Sequence, residues 1–194
     1  MNPKSICLTL ALALSTIAAG AQTNIDTDAA TPAAVSQKFT TGWDNFGEPI
    51  NLAKSYVKWT AAKHKLTVQY KLVGAAPSKV YQVALNFFCD TFPATFGTFP
   101  VDLGGGTCFT LTRQNVTATA AEVEIGVVLT DAHGNGAVNI PITNVAPGTY
   151  KILFFVRNGT GCNVNGGGGN AGSICSVDFQ SPGPWGTGTT VTIP

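Results

Sequence analysis

The chain has 194 residues, 44% of them hydrophobic and only 11% charged, with a formal net charge of +1 and five cysteines. Without its first 21 residues it carries ten basic and ten acidic side chains, a balance that excludes binding to nucleic acid or anionic lipid through bulk charge. The remaining length suits one domain rather than two.

Residues 1–21 read as a signal peptide. Lys4 supplies a small positive start, Ile6 to Leu14 a short apolar run, and Ala19-Gly20-Ala21 a small-x-small cleavage pattern. The run is too short to span a bilayer, and no second long apolar run follows. No cysteine follows the cleavage site closely, which argues against a lipoprotein. The expected location is therefore secreted, periplasmic or cell-surface, with no membrane span. Residues 22–50 are expected to form a flexible leader. Their first part, to Gln37, has no period and little apolar content, and the ambiguous stretch from Lys38 to Ala53 is expected to pack as a short strand plus loop.

Residues 51–194 are expected to form the folded domain, built of short strands. Ser55–Thr60 carries Tyr56 and Trp59. Lys65–Leu72 alternates cleanly, with Leu66, Val68, Tyr70 and Leu72 on one face and Lys65, Thr67, Gln69 and Lys71 on the other. Such alternation places one face in the core and one in water. Val80–Phe88 aligns Tyr81, Val83, Leu85 and Phe87, and a shorter strand is expected at Cys108–Thr112.

Residues 122–158 give the clearest pattern. Val123, Ile125, Val127 and Leu129 recur at every second position, as do Val138, Ile140 and Ile142, and then Tyr150, Ile152, Phe154 and Val156. The breaks are Asp131-Ala132-His133-Gly134-Asn135-Gly136 and Pro147-Gly148, both with turn chemistry. Three consecutive antiparallel strands joined by hairpins are expected here. Leu153 and Phe155 make the third strand apolar on both faces, so it should be central and covered on both sides. Pro141 lacks an N–H, which points to an edge or a bulge. Two more strands, at Ser176–Gln180 and Thr189–Ile193, bring the count to about eight or nine. That count, without an amphipathic helix, predicts an all-β antiparallel sandwich.

Thr130-Asp131, Gly134-Asn135-Gly136 and Ala146-Pro147-Gly148-Thr149-Tyr150 resemble the turns and strand starts of secreted immunoglobulin-like and prealbumin-like modules. The resemblance covers residues 130–157. It implies an immunoglobulin-like sandwich shape and carries over no activity.

Cys7 leaves with the signal peptide, and Cys89, Cys108, Cys162 and Cys175 remain. An even count in a secreted chain implies disulfides. Neighbour pairing, Cys89–Cys108 and Cys162–Cys175, would bracket two long loops, each gaining on the order of 3 kcal/mol. A crossed pairing that ties the two loops together is the alternative. The first loop carries Phe92, Phe96 and Phe99 among Pro and Gly. These side chains either cap the core or form an aromatic contact surface. The second loop contains Gly167 to Gly172, which matches G-x-G-x-x-G in form only, because no βαβ unit surrounds it.

No nucleophile, zinc or nucleotide motif is present. Asp131 begins an EF-hand-like run that fails at His133 and Ile142. His64 and His133 fall in turns, and Glu122 and Glu124 are expected to face solvent on one strand face. No catalytic residue, metal ligand or cofactor site is therefore expected. The function expected is a non-catalytic binding module for an extracellular glycan, protein or matrix ligand, with Phe92, Phe96 and Phe99 as its contacts. Trp43, Trp59 and Trp185 form a competing platform, although the strand period places Trp59 in the core. The alternative is a secreted enzyme whose residues no motif reveals.

Overall fold

The computed structural model describes residues 32–45, 47–91, 108–113, 115–159 and 176–194. The strands are β1 (Val35–Lys38), β2 (Thr40–Thr41), β3 (Tyr56–Ala62), β4 (Lys65–Leu72), β5 (Val80–Phe88), β6 (Phe109–Arg113), β7 (Val116–Leu129), β8 (Gly136–Thr143), β9 (Gly148–Asn158), β10 (Val177–Gln180) and β11 (Thr189–Ile193). One 3-10 turn follows β5, and there is no α-helix among the described residues.

Two sheets form, and the strands within each pair antiparallel. The first has the order β1-β3-β4-β8. The second runs β2-β10-β9-β5-β7-β6, with β11 added to the start of β9. One apolar core draws on both sheets. Val57, Trp59, Leu66, Val68 and Tyr70 of the first meet Val83, Leu85, Phe87, Phe154 and Phe179 of the second. Trp59 stacks on Phe154 with ring centroids 4.9 Å apart. A buried Phe or Leu contributes roughly 1.5–3 kcal/mol each, so this cluster dominates stability.

β4, β5 and β11 have the bounds that the alternation predicts. β7 starts earlier than Glu122, because after Val116 the stretch Thr117–Ala121 is all Thr and Ala and gives little apolar contrast. The fold also starts earlier than residue 51. β1 pairs with β3, β2 pairs with β10, and Phe39 is buried against Tyr70. Residues 35–41 are thus part of the sheets and not leader. Their one buried aromatic among polar neighbours produces no period to read.

The expected hairpins at 131–136 and 147–148 are not hairpins. β7 and β9 lie in the second sheet and β8 in the first, so both turns carry the chain across the core. Asp131 organises the first crossing. Its carboxylate accepts N–H bonds from His133 (2.8 Å) and Asn135 (2.9 Å). The Ala75 N–H donates to the Gly134 carbonyl at 2.9 Å, docking the turn on the β4–β5 connection. At the second crossing the Tyr150 hydroxyl donates to the Ala146 carbonyl at 2.7 Å. β8 ends as an edge strand, which accommodates Pro141.

Candidate functional site

The second sheet has an outer face, turned away from the main core. Side chains of opposite parity to the core line it: Ala84, Asn86 and Phe88 on β5, Ala120 and Glu122 on β7, and Leu153, Phe155 and Arg157 on β9. All are buried. β9 is therefore covered on both faces, as its apolar composition predicts. Two tryptophans from connections lie over this face. Trp43 follows β2 and packs 5.8 Å from Phe155. Trp185 lies between β10 and β11, 5.2 Å from Phe88 and 5.7 Å from Trp43.

A charged group sits among these rings. The Arg113 guanidinium lies 4.6 Å from the Trp43 ring centre and 5.2 Å from that of Trp185. Desolvated cation–π contacts of this kind are worth about 2 kcal/mol. Arg113 Nη2 is 3.9 Å from Glu122 Oε2, and Arg157 Nη2 forms an ion pair with Glu122 Oε1. Burial holds the Glu122 carboxyl above its ordinary value, and the two guanidiniums oppose that rise only in part, Arg157 more than Arg113. The expectation that Glu122 and Glu124 share a solvated face is corrected. Glu122 is buried and ion-paired, and only Glu124 is exposed. Strand period alone cannot separate a solvated outer face from one that Trp43 and Trp185 cover. Asn86 stands opposite Glu122 in the ladder, and its amide has no hydrogen-bond partner among the described residues.

A shallow groove of about 370 Å³ runs beside this cluster. Among the described residues it is lined by Asp90, Val116, Thr117, Ala118, Thr119, Trp185, Gly186 and Thr187. The end of β5 delivers Asp90, directly after Cys89. The Cys89–Cys108 disulfide, with Cα atoms 6.3 Å apart, ties that end to the start of β6. A carboxylate and three threonine hydroxyls can exchange hydrogen bonds with a polyhydroxylated ligand. Trp185 is only 1% exposed, so its ring faces belong to the aromatic cluster and offer no stacking platform. Trp59 lies in the main core, apart from that cluster. The three indoles thus form no common exposed platform.

Phe92, Phe96 and Phe99 lie outside the described residues, as do Cys162 and Cys175 and the Gly167–Gly172 run. Asp90, which sequence reasoning did not select, lies in the 3-10 turn that follows β5. The histidines fall on separate turns. His64 Nδ1 is 3.3 Å from the Val145 carbonyl, and His133 is exposed on the first crossing. Among the described residues no three His, Cys, Asp or Glu side chains are grouped to hold a metal ion. No described helix is long and apolar enough to cross a membrane.

Compared with family models, curated proteins and solved structures, the chain matches none.

Proposed function

We propose that the protein is a secreted, non-catalytic binding module with an immunoglobulin-like sandwich fold, which takes an extracellular glycan at the disulfide-tied end of its second sheet. Three features support the sandwich reading. Both sheets contribute to one core. With β6 set aside as the edge partner of β7, β3, β4 and β8 share one sheet while β5, β9 and β10 share the other. Counted from β3, these are strands one, two and five against three, six and seven, as in immunoglobulin domains, while strand four, β7, pairs with β5 rather than joining the first sheet. The Tyr150 hydroxyl bond to a carbonyl four residues upstream resembles the tyrosine corner of such domains.

The groove beside Asp90 carries the functional reading. It combines a carboxylate with threonine hydroxyls, and in sequence Asp90 directly precedes the segment that holds Phe92, Phe96 and Phe99. Sandwich domains use loops at one end for recognition, and a disulfide at the base limits the entropy lost on binding. A glycan array probed with the purified protein tests the proposal, with Phe96→Ala and Asp90→Asn beside the native chain. The native protein should bind, and both variants should lose binding at unchanged melting temperature. A native protein that binds no glycan removes the ligand class. A fall in stability of about 3–5 kcal/mol in Phe96→Ala, the effect of deleting a buried Phe, shows the loop to be core and ends the proposal.

A further inference from the structure

The near-neutral charge of the whole chain conceals a segregation. The four strands of the first sheet contain Lys38, Lys58, Lys65 and Lys71 and no Asp or Glu. Alternation puts all four on one face. Lys58 lies between buried Val57 and Trp59, and Lys65 and Lys71 share the parity opposite to Leu66, Val68, Tyr70 and Leu72. The ladder sets Lys38 and Lys71 on either side of Tyr56, and it sets Lys58, Gln69 and Asn139 in one row. The two ammonium groups lie 5.5 and 5.7 Å from the Tyr56 ring centre. All four lysines are exposed, and none pairs with a described carboxylate. A second shallow groove, of about 220 Å³, runs on the same face past Lys58, Thr60, Thr67, Gln69 and Asn139.

Like charges on adjacent strands repel, so a sheet face with four lysines and no carboxylate on its strands departs from the mixed sign of an ordinary surface. From this placement we infer that the outer face of the first sheet binds an anionic polysaccharide, with the lysines pairing its acidic groups. Gln69, Asn139 and the two threonines between the cations offer amides and hydroxyls to sugar hydroxyls, and Tyr56 offers a half-buried ring for a sugar to lie against. The chemistry separates this ligand from its rivals. A nucleic acid calls for a strongly basic domain, and this chain has a formal net charge of only +1. Both arginines of the chain, Arg113 and Arg157, are buried on the other sheet. A membrane surface calls for exposed apolar side chains beside the cations. The large exposed apolar residues of the described chain are Val35, Val116, Val127 and Leu129, none of them on this row pattern; Val35 stands opposite core Trp59. This surface is separate from the Asp90 groove, and the inference does not depend on that reading.

Affinity electrophoresis of the full chain in native gels tests it, with polygalacturonate, dextran sulfate, neutral dextran or duplex DNA cast in the gel. The protein should be retarded by an anionic polymer and not by neutral dextran, and the retardation should fade as salt is raised. Retardation by polygalacturonate alone assigns carboxylates as the recognised groups, and by dextran sulfate alone assigns sulfate esters. The double variant Lys58→Gln/Lys71→Gln should weaken binding by about tenfold or more at unchanged melting temperature. No retardation by either polysaccharide, undiminished retardation of the double variant, or equal retardation by duplex DNA overturns the inference.

Discussion

Asp178 shows what a single buried carboxyl does to this protein. It lies on β10 almost without exposure, and one carboxylate oxygen has no partner among the described residues. Burial pushes its pKa up to about 7, and the Ser176 hydroxyl, donating at 3.0 Å, opposes that rise only in part. The folded value lies above the unfolded value of about 3.9. The folded state therefore holds the proton more tightly. The stability linked to that proton is fully present below about pH 4 and is lost as pH rises towards 7. Asp178→Asn keeps the shape and the acceptor for Ser176 without the charge. Its melting temperature relative to the native protein should rise between pH 4.5 and pH 7.5; a constant difference would contradict the assignment. The Glu122 carboxyl is also held above its ordinary value by burial, and Arg157 and Arg113 oppose that rise only in part. Such buried pairs are poor net stabilisers, yet removing one partner strands the other charge.

At the scale of elements, the crossing between β7 and β8 decides which sheet each strand joins. Gly134 has φ of 74°, and a Cβ placed on it would lie 1.9 Å from the Ala75 carbonyl oxygen. The backbone of the β4–β5 connection occupies that space and cannot rotate away as a side chain could. Gly134→Ala should destabilise the protein by about 1–3 kcal/mol through backbone strain, or roughly 2–4 °C for each kcal/mol. A thermal melt at neutral pH checks this, and an unchanged midpoint would show that the crossing is not held by its contact with Ala75. The same corner explains why hairpins are a natural misreading. Asp, Gly and Asn supply the tight turn that a hairpin also needs, and only the docking of Gly134 and Thr130 on residues 75–79 sends the chain across.

At the scale of the molecule, the disulfide ties the 3-10 turn after β5 to the residue before β6. Cys89 and Cys108 are 19 residues apart, a loop whose closure contributes about 3 kcal/mol in the chain-entropy model. Reduction should therefore lower the melting temperature. Thiol titration of the denatured, unreduced mature protein should read near zero, with Cys162 paired to Cys175 as the second bridge. Two free thiols there would limit the bridging to Cys89–Cys108.

The sequence by itself determined the strands that alternate. Lys65–Leu72 and Val80–Phe88 are legible because burial on one face imposes a period of two on the residues themselves. It also singled out Trp43 and Trp185, though as an open platform. Tertiary structure alone decided which strands are neighbours, since period is blind to sheet membership. It brought Trp43, Arg113, Glu122, Arg157 and Trp185 together from five separate segments over one face. It also placed Asp90 beside Thr117 and Thr187. No local pattern records such meetings, because each residue satisfies its own strand or turn and the contact exists only after the sheets have formed. The lysines of the first sheet lie between these cases. Their alternation is plain in the chain, but only the ladder shows that Lys38 and Lys71 flank Tyr56 and that the four strands gathered in their sheet hold no Asp or Glu.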